Sequence, residues 1–98
     1  MANKVTPKPY PESHHIDNRK ILGEFIRAQR THQNLDISTT AQMLGISVDL
    51  LSQLENGNRN VQIDSLLPIL HGLGLQMGVF TKKDMLIAEH DLRELRHL

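Results

Sequence analysis

The chain has no cysteine and no tryptophan, and its only aromatic residues are one Tyr and two Phe in 98 positions. Without cysteine there are no disulfides, no thiolate metal sites and no thiol nucleophile, which fits a reducing compartment. No apolar run approaches the ~20 residues that span a bilayer, and Met1 to Pro11 lacks the apolar stretch of a secretory signal. A soluble, cytoplasmic chain with no membrane partner is therefore expected. Charge of one sign is lacking too, since eleven Lys and Arg balance eleven Asp and Glu. That balance removes the basic excess by which nucleic-acid binders are usually found, yet phosphate contacts answer to the local field within about 8 Å at physiological salt. A basic face is still permitted. At this length one core is expected.

Catalytic and metal-binding patterns are equally sparse. The six histidines are His14, His15, His32, His71, His90 and His97. His90 and His97 share a helical face, but two turns set them about 10 Å apart, against the single turn of a pair that ligates one ion. No glycine-rich phosphate loop and no nucleophile with a nearby base and acid can be picked out. No enzyme, no metal site and no cofactor is expected.

What is present divides into three parts. Residues 1–17 interleave Pro7, Pro9 and Pro11 with Lys4, Lys8 and Tyr10. Alternate prolines favour extended backbone and remove donors, so this is an extended arm, unstructured or strapped down. A basic arm that touches DNA or a partner is the sharper alternative.

From about Asn18 to Leu75 apolar residues recur at helical spacing: Ile21, Leu22, Phe25 and Ile26, then Ala41, Met43 and Leu44, then Leu50, Leu51 and Leu54. The first helix should close near Gln33, with Asn34 in the left-handed conformation, and Asp36 should cap a second helix over Ile37 to Leu44. Gly45 supplies the positive φ of a tight turn, Ser47 can cap a third helix, and Gly57 stands where that helix stops. Two short helices about a glycine-bearing turn make a helix-turn-helix unit from Asp36 to Glu55. A fourth segment, Val61 to Leu73, can cover them with Ile63, Leu66, Leu67, Leu70 and Leu73, and Pro68 within it predicts a late start or a kink.

The run TTAQMLGISVDLLSQLENGNRN, followed by IDSLLPILHGLGL, resembles the helix-turn-helix of the Cro/C1 repressor family, also called XRE, over about Leu22 to Leu75. Its most specific pieces are the Ala41 and Gly45 spacing, LSQLENG from Leu51 to Gly57, and the closing LGL. The resemblance implies an all-α, lambda-repressor-like domain that binds double-stranded operator DNA, with the third helix in the major groove. By motif position the base-reading residues are Ser47, Val48, Asp49, Ser52 and Gln53. Gln53 suits adenine, Asp49 can accept from cytosine, and Val48 can pack on a thymine methyl. For Asp49 the alternative is an acid that merely suits the helix dipole.

The phosphate-contact set implied is Arg27, Ser38, Thr39, Asn56, Asn58 and Arg59, with Arg59 the best single candidate. Here the sequence departs from the family, which commonly opens helix two with Thr-Gln where Asp36 and Ile37 stand. The amides of that helix N-terminus, with the Ser38 and Thr39 hydroxyls, are left to meet phosphate. In this family a helix-one arginine often pairs with the glutamate ending helix three, which makes Arg30 and Glu55 structural and leaves Arg27 for DNA.

A second likeness is to HipB-type antitoxins, in which the last helix passes into a short strand, here LQMGVF from Leu75 to Phe80. It adds one short C-terminal β-strand, residues 75–80, to the expected fold and closes the DNA-binding domain at residues 18–80. A lone strand needs a partner, and a second copy pairing antiparallel would make a homodimer with reading helices about 34 Å apart. The likeness also implies a HipA-like serine/threonine kinase toxin as partner; the alternative is a stand-alone XRE-type repressor without one. Residues 81–98 open with Thr81 and Asp84 in capping-box-like spacing, place Met85, Ala88, Leu92 and Leu95 on one face and set Glu89 before Arg93. This predicts a C-terminal helical tail, packed on its own domain or offered to a second subunit or partner protein.

Overall fold

The computed structural model describes residues 4–12 and 15–96; His14 and His97, considered above as metal ligands, lie outside them. Among the described residues five helices follow in chain order: α1 (Arg19–His32), α2 (Ile37–Leu44), α3 (Val48–Glu55), α4 (Ile63–Gly72) and α5 (Lys82–Arg96). Side-chain oxygens cap four of the starts, each taking a backbone N–H that the helix itself leaves unpaired. Asn18 accepts from Ile21 N at 3.0 Å, Asp36 from Thr39 N at 2.7 Å, Ser47 from Leu50 N at 3.0 Å and Thr81 from Asp84 N at 3.1 Å. The ends are chemical as well. Asn34 takes φ 58°, Gly45 φ 69° and Gly57 φ 73°, the left-handed region in which a glycine carries no penalty.

The core lies where α1, α2 and α4 close over α3. Ile26, Ala41, Leu51, Leu54, Leu66, Ile69, Leu70 and Leu73 form one buried cluster, with Ile26 and Leu51 wholly enclosed. Burying each such aliphatic side chain is worth about 1.5–3 kcal/mol, and this cluster draws on all four helices. At Gly23 no side chain separates α1 from the end of α3. A Cβ added at Gly23 would fall on the Leu54 carbonyl oxygen and 2.5 Å from that of Glu55. Glycine is there because two backbones meet.

In α4, the helix begins at Ile63, two residues after Val61, and runs through Pro68 to Gly72. Pro68 is exposed, and having no N–H it gives nothing to the Asp64 carbonyl one turn back.

The β-strand expected over residues 75–80 is a correction. Among the described residues there is no strand, and this run is irregular, with Val79 98% and Phe80 57% exposed. Alternating apolar residues make a strand only when their backbone groups find a ladder, and within one chain this run meets none. Leu75 and Met77 instead turn back against the core. The fold is all-α.

The arm is strapped down. Lys8 N donates to Thr31 Oγ1 at 2.8 Å, His32 Nε2 meets the Lys8 carbonyl at 2.9 Å, and the Tyr10 hydroxyl donates to Gln29 Oε1 at 2.6 Å. The Tyr10 ring stacks on His32 with centroids 4.6 Å apart. Gln29 extends the link, its Nε2 donating to the Leu73 carbonyl at 2.9 Å, an acceptor it shares with Gln33 Nε2 at 2.8 Å. At the other end, Met85, Ala88 and Leu92 of α5 face an apolar groove shared with Leu22, Phe25, Leu75 and Met77. Leu86, Ile87 and Leu95 stand exposed on the same helix. Arg93 donates to Glu89 at 3.3 Å across one turn. Among the described residues no helix is long and apolar enough to cross a membrane.

Candidate nucleic-acid interface

The two-faced build of α3 follows from its sequence. Leu51 and Leu54 turn inward, 0% and 4% exposed, so Val48 and Asp49 are left outside, with Ser52 and Gln53 half-buried along the flank. Val48 is 43% exposed, an apolar side chain on a polar face. Ser47 is committed to its own helix, its hydroxyl oxygen taking the Leu50 N–H. The five residues expected to read bases thus lie on one end and one flank of a single short helix.

Three of the expected contact residues are joined. Gln53 Nε2 donates to Asp49 Oδ2 at 3.2 Å, and Arg59 Nη1 donates to Gln53 Oε1 at 3.0 Å. The loop after α3 is fixed from the far side, where Arg19 Nη1 donates to Asn60 Oδ1 at 3.1 Å. Gly57 rests on the start of α1: a Cβ there would stand 2.8 Å from Lys20 Cα. The start of α1, with exposed Arg19 and Lys20, therefore abuts the loop that holds exposed Asn56, Asn58 and Arg59. Sequence reasoning missed Arg19 and Lys20. Gly57 reads in the sequence as the stop of α3, and the segment its backbone approaches is tertiary information.

Ser38 and Thr39 are exposed on the first turn of α2, but that N-terminus already has an acidic occupant. Asp36 takes the Thr39 amide, and this bond, seconded by the Thr39 hydroxyl, holds the Asp36 carboxyl below the ordinary value. Of the amides that the dipole argument assigned to phosphate, that of Thr39 is taken by Asp36, whose carboxylate stands at the same helix end.

Arg30 and Glu55 meet as expected from the resemblance, Nε to Oε2 at 2.6 Å and Nη2 to Oε1 at 2.8 Å, both side chains buried. Arg27 lies at the margin of that pair, Nε 3.9 Å from Glu55 Oε1 and 47% exposed. Its charge is partly answered within the protein.

The arrangement of α2, the Gly45 turn and α3, covered by α1 and α4, agrees with a family model described as helix-turn-helix, HTH_3, which matches residues 26–80. The chain belongs to the HTH_3 family. Its HTH_3 match starts inside α1 and ends at Phe80, so the arm and α5 lie outside it. Among solved structures, an HTH_3 family transcriptional regulator from Vibrio cholerae is 28% identical with a TM-score of 0.55, over 59% of this chain and 33% of that one. The chain thus spans about a third of that regulator's length. ClgR, the clp gene regulator from C. glutamicum, is 27% identical with a TM-score of 0.55, over 74% of this chain and 87% of its own. A structure called MDT protein, 23% identical with a TM-score of 0.62, shares the fold. No curated protein matches the chain.

Proposed function

We propose that this HTH_3 protein is a sequence-specific, double-stranded DNA-binding transcriptional repressor that acts as a homodimer. One observation carries the DNA reading: α3 buries Leu51 and Leu54 while leaving Val48, Asp49 and Gln53 on its outer side, beside a loop that bears Arg59 and rests against the α1 start that bears Arg19 and Lys20. A helix of two turns with polar and methyl-contacting groups outward fits the major groove, and cations on the flanking loop fit the phosphates beside it. Ser47, Val48, Asp49, Ser52 and Gln53 are assigned to base edges. Arg59, Asn56 and Asn58, joined now by Arg19 and Lys20, are assigned to phosphate, with Arg27, Ser38 and Thr39 in a lesser share. The two similar solved proteins named as regulators support the same class of activity.

The dimer rests on α5 and the run before it. Val79, Phe80, Leu86, Ile87, Leu92 and Leu95 are all at least 41% exposed within one short stretch, more apolar surface than a lone small domain ordinarily leaves bare. A second copy, related by a two-fold axis, covers that surface and brings two reading helices to successive turns of a palindromic site, about 34 Å apart. The reading as an antitoxin with a HipA-like kinase rests on a strand over residues 75–80 and on tails longer than a minimal DNA module needs; that run is irregular, and no feature among the described residues favours a kinase over a second copy.

Selection of binding sites from a random duplex pool, with sedimentation of the protein alone and on its site, tests this. The expected result is a palindromic consensus bound by two copies. A pool that yields no enriched sequence would overturn the repressor reading, and a monomer at micromolar concentration on and off DNA would overturn the dimer.

A further inference from the structure

The polar face of α3 is a hydrogen-bonded chain. Asp49 accepts from Gln53, and Gln53 accepts from Arg59. A carboxamide is nearly symmetric in shape, and only its neighbours distinguish its two ends. Here a guanidinium stands at the oxygen and a carboxylate at the nitrogen. Turned over, the amide would aim its N–H groups at the Arg59 donors and its oxygen at the Asp49 oxygens, so both contacts would be repulsive.

Two bonds leave Gln53 with one N–H and one oxygen lone pair unused. A donor and an acceptor side by side, in fixed order, complement the adenine edge, which offers N7 as acceptor and N6–H as donor. Guanine offers two acceptors, N7 and O6, and the amide answers only one of them. The loop that carries Arg59 is held in place, because its neighbour Asn60 is tied to Arg19 and Gly57 lies against Lys20.

Building on the base-reading role of Gln53, we propose that Arg59 is a positioning residue for sequence readout: it sets the Gln53 amide, with Asp49 as counterpart, in the orientation that selects adenine. Arg59 thus governs specificity through Gln53, over and above any attraction it has for phosphate.

The selected duplex, varied to each base at each position, is titrated with the parent protein, Gln53→Ala, Arg59→Ala, Arg59→Lys and the double Gln53→Ala/Arg59→Ala. Gln53→Ala should erase an adenine preference of about 10- to 100-fold at one position of each half-site. Arg59→Ala should cut the preference at that same position by about tenfold, with the largest gain on guanine, and leave the other positions alone. Arg59→Lys keeps a charge and a donor and should retain part of it. In the double variant the Arg59 effect on that position should vanish. If Arg59→Ala weakens all duplexes by one common factor with the adenine preference intact, Arg59 acts on phosphate alone and the proposal is overturned while Gln53 keeps its role. If Gln53→Ala changes no preference at any position, the assignment of Gln53 falls and this inference falls with it. Arg59 is exposed, so its variants keep the fold in which the comparison is made.

Discussion

Arg30 and Glu55, one on α1 and the other closing α3, form a buried two-pronged ion pair with contacts of 2.6 and 2.8 Å. Arg30 also donates to the Leu35 carbonyl at 2.8 Å, so one guanidinium ties together α1, the end of α3 and the link into α2. Removing either partner leaves a charge enclosed without its counterpart, at a cost of about 3–5 kcal/mol, whereas replacing both by apolar groups of similar volume is far milder. Arg30→Ala and Glu55→Ala should each melt well below the parent, and Arg30→Met/Glu55→Leu should melt above either single variant. Thermal unfolding of the three proteins checks the order.

Two glycines should respond to alanine in opposite measure to their local appearance. Gly23 lies inside a helix, where alanine ordinarily gains about 1 kcal/mol, but its Cβ would press on two backbone carbonyls of α3 that cannot swing aside. Gly23→Ala should destabilise by about 3 kcal/mol. Gly45 has φ 69° but nothing within 4 Å of an added Cβ, so Gly45→Ala should lose only the ~1–2 kcal/mol of left-handed backbone and still bind DNA. Denaturant melts of both variants, with titration of the selected duplex, decide it; a Gly23→Ala protein as stable as the parent would contradict the helix crossing.

The cap at Asp36 sets a pH dependence. Its carboxyl is held down chiefly by the Thr39 amide, so the folded state binds a proton less readily than the unfolded chain. The sign follows: the contribution is complete above the unfolded carboxyl value of about 4 and is lost as pH falls through the lower folded value. Asp36→Asn keeps an acceptor but does not titrate. Melting of parent and variant across that acidic range should show the parent losing its advantage as pH drops, with no such change near neutrality.

Gln29 carries two attachments on one amide, accepting from Tyr10 and donating to Leu73. Tyr10→Phe removes one bond, about 1 kcal/mol, and Gln29→Leu removes both, although Gln33 continues to serve the Leu73 carbonyl. Gln29→Leu should therefore exceed Tyr10→Phe in its loss of stability, and both should speed proteolytic cutting within residues 4–12. Limited proteolysis with mass mapping reads this out; an uncut arm in Gln29→Leu would show that other contacts hold it.

The local code of the domain was legible in the sequence because caps and turns are short-range chemistry. Asp36, Ser47, Asn34, Gly45 and Gly57 each act within a few residues of their own position, and each stands where its type dictates. The outward flank of α3 could be placed for the same reason, since burial of Leu51 and Leu54 decides what faces out. Contacts between distant segments were not legible. Gly23 reads as a weak point of a helix until α3 lies across it, and Arg19 reads as an ordinary first-turn residue until Asn60 arrives. The run from Leu75 to Phe80 misled in the other direction: the likeness to HipB-type antitoxins implied a strand, but a likeness in sequence does not supply the neighbouring backbone that a strand requires.

At Gly23 the last carbonyls of α3 press on α1, and at Gly57 the exit from α3 presses on Lys20. Side chains between helices can change rotamer and let one helix roll on another; main chain against main chain cannot. The pitch and roll of α3 are therefore indexed to α1, although the covalent turn joins it to α2. The Gly45 turn is uncrowded, and the angle at which α3 is presented is inherited from a helix that precedes the helix-turn-helix unit altogether.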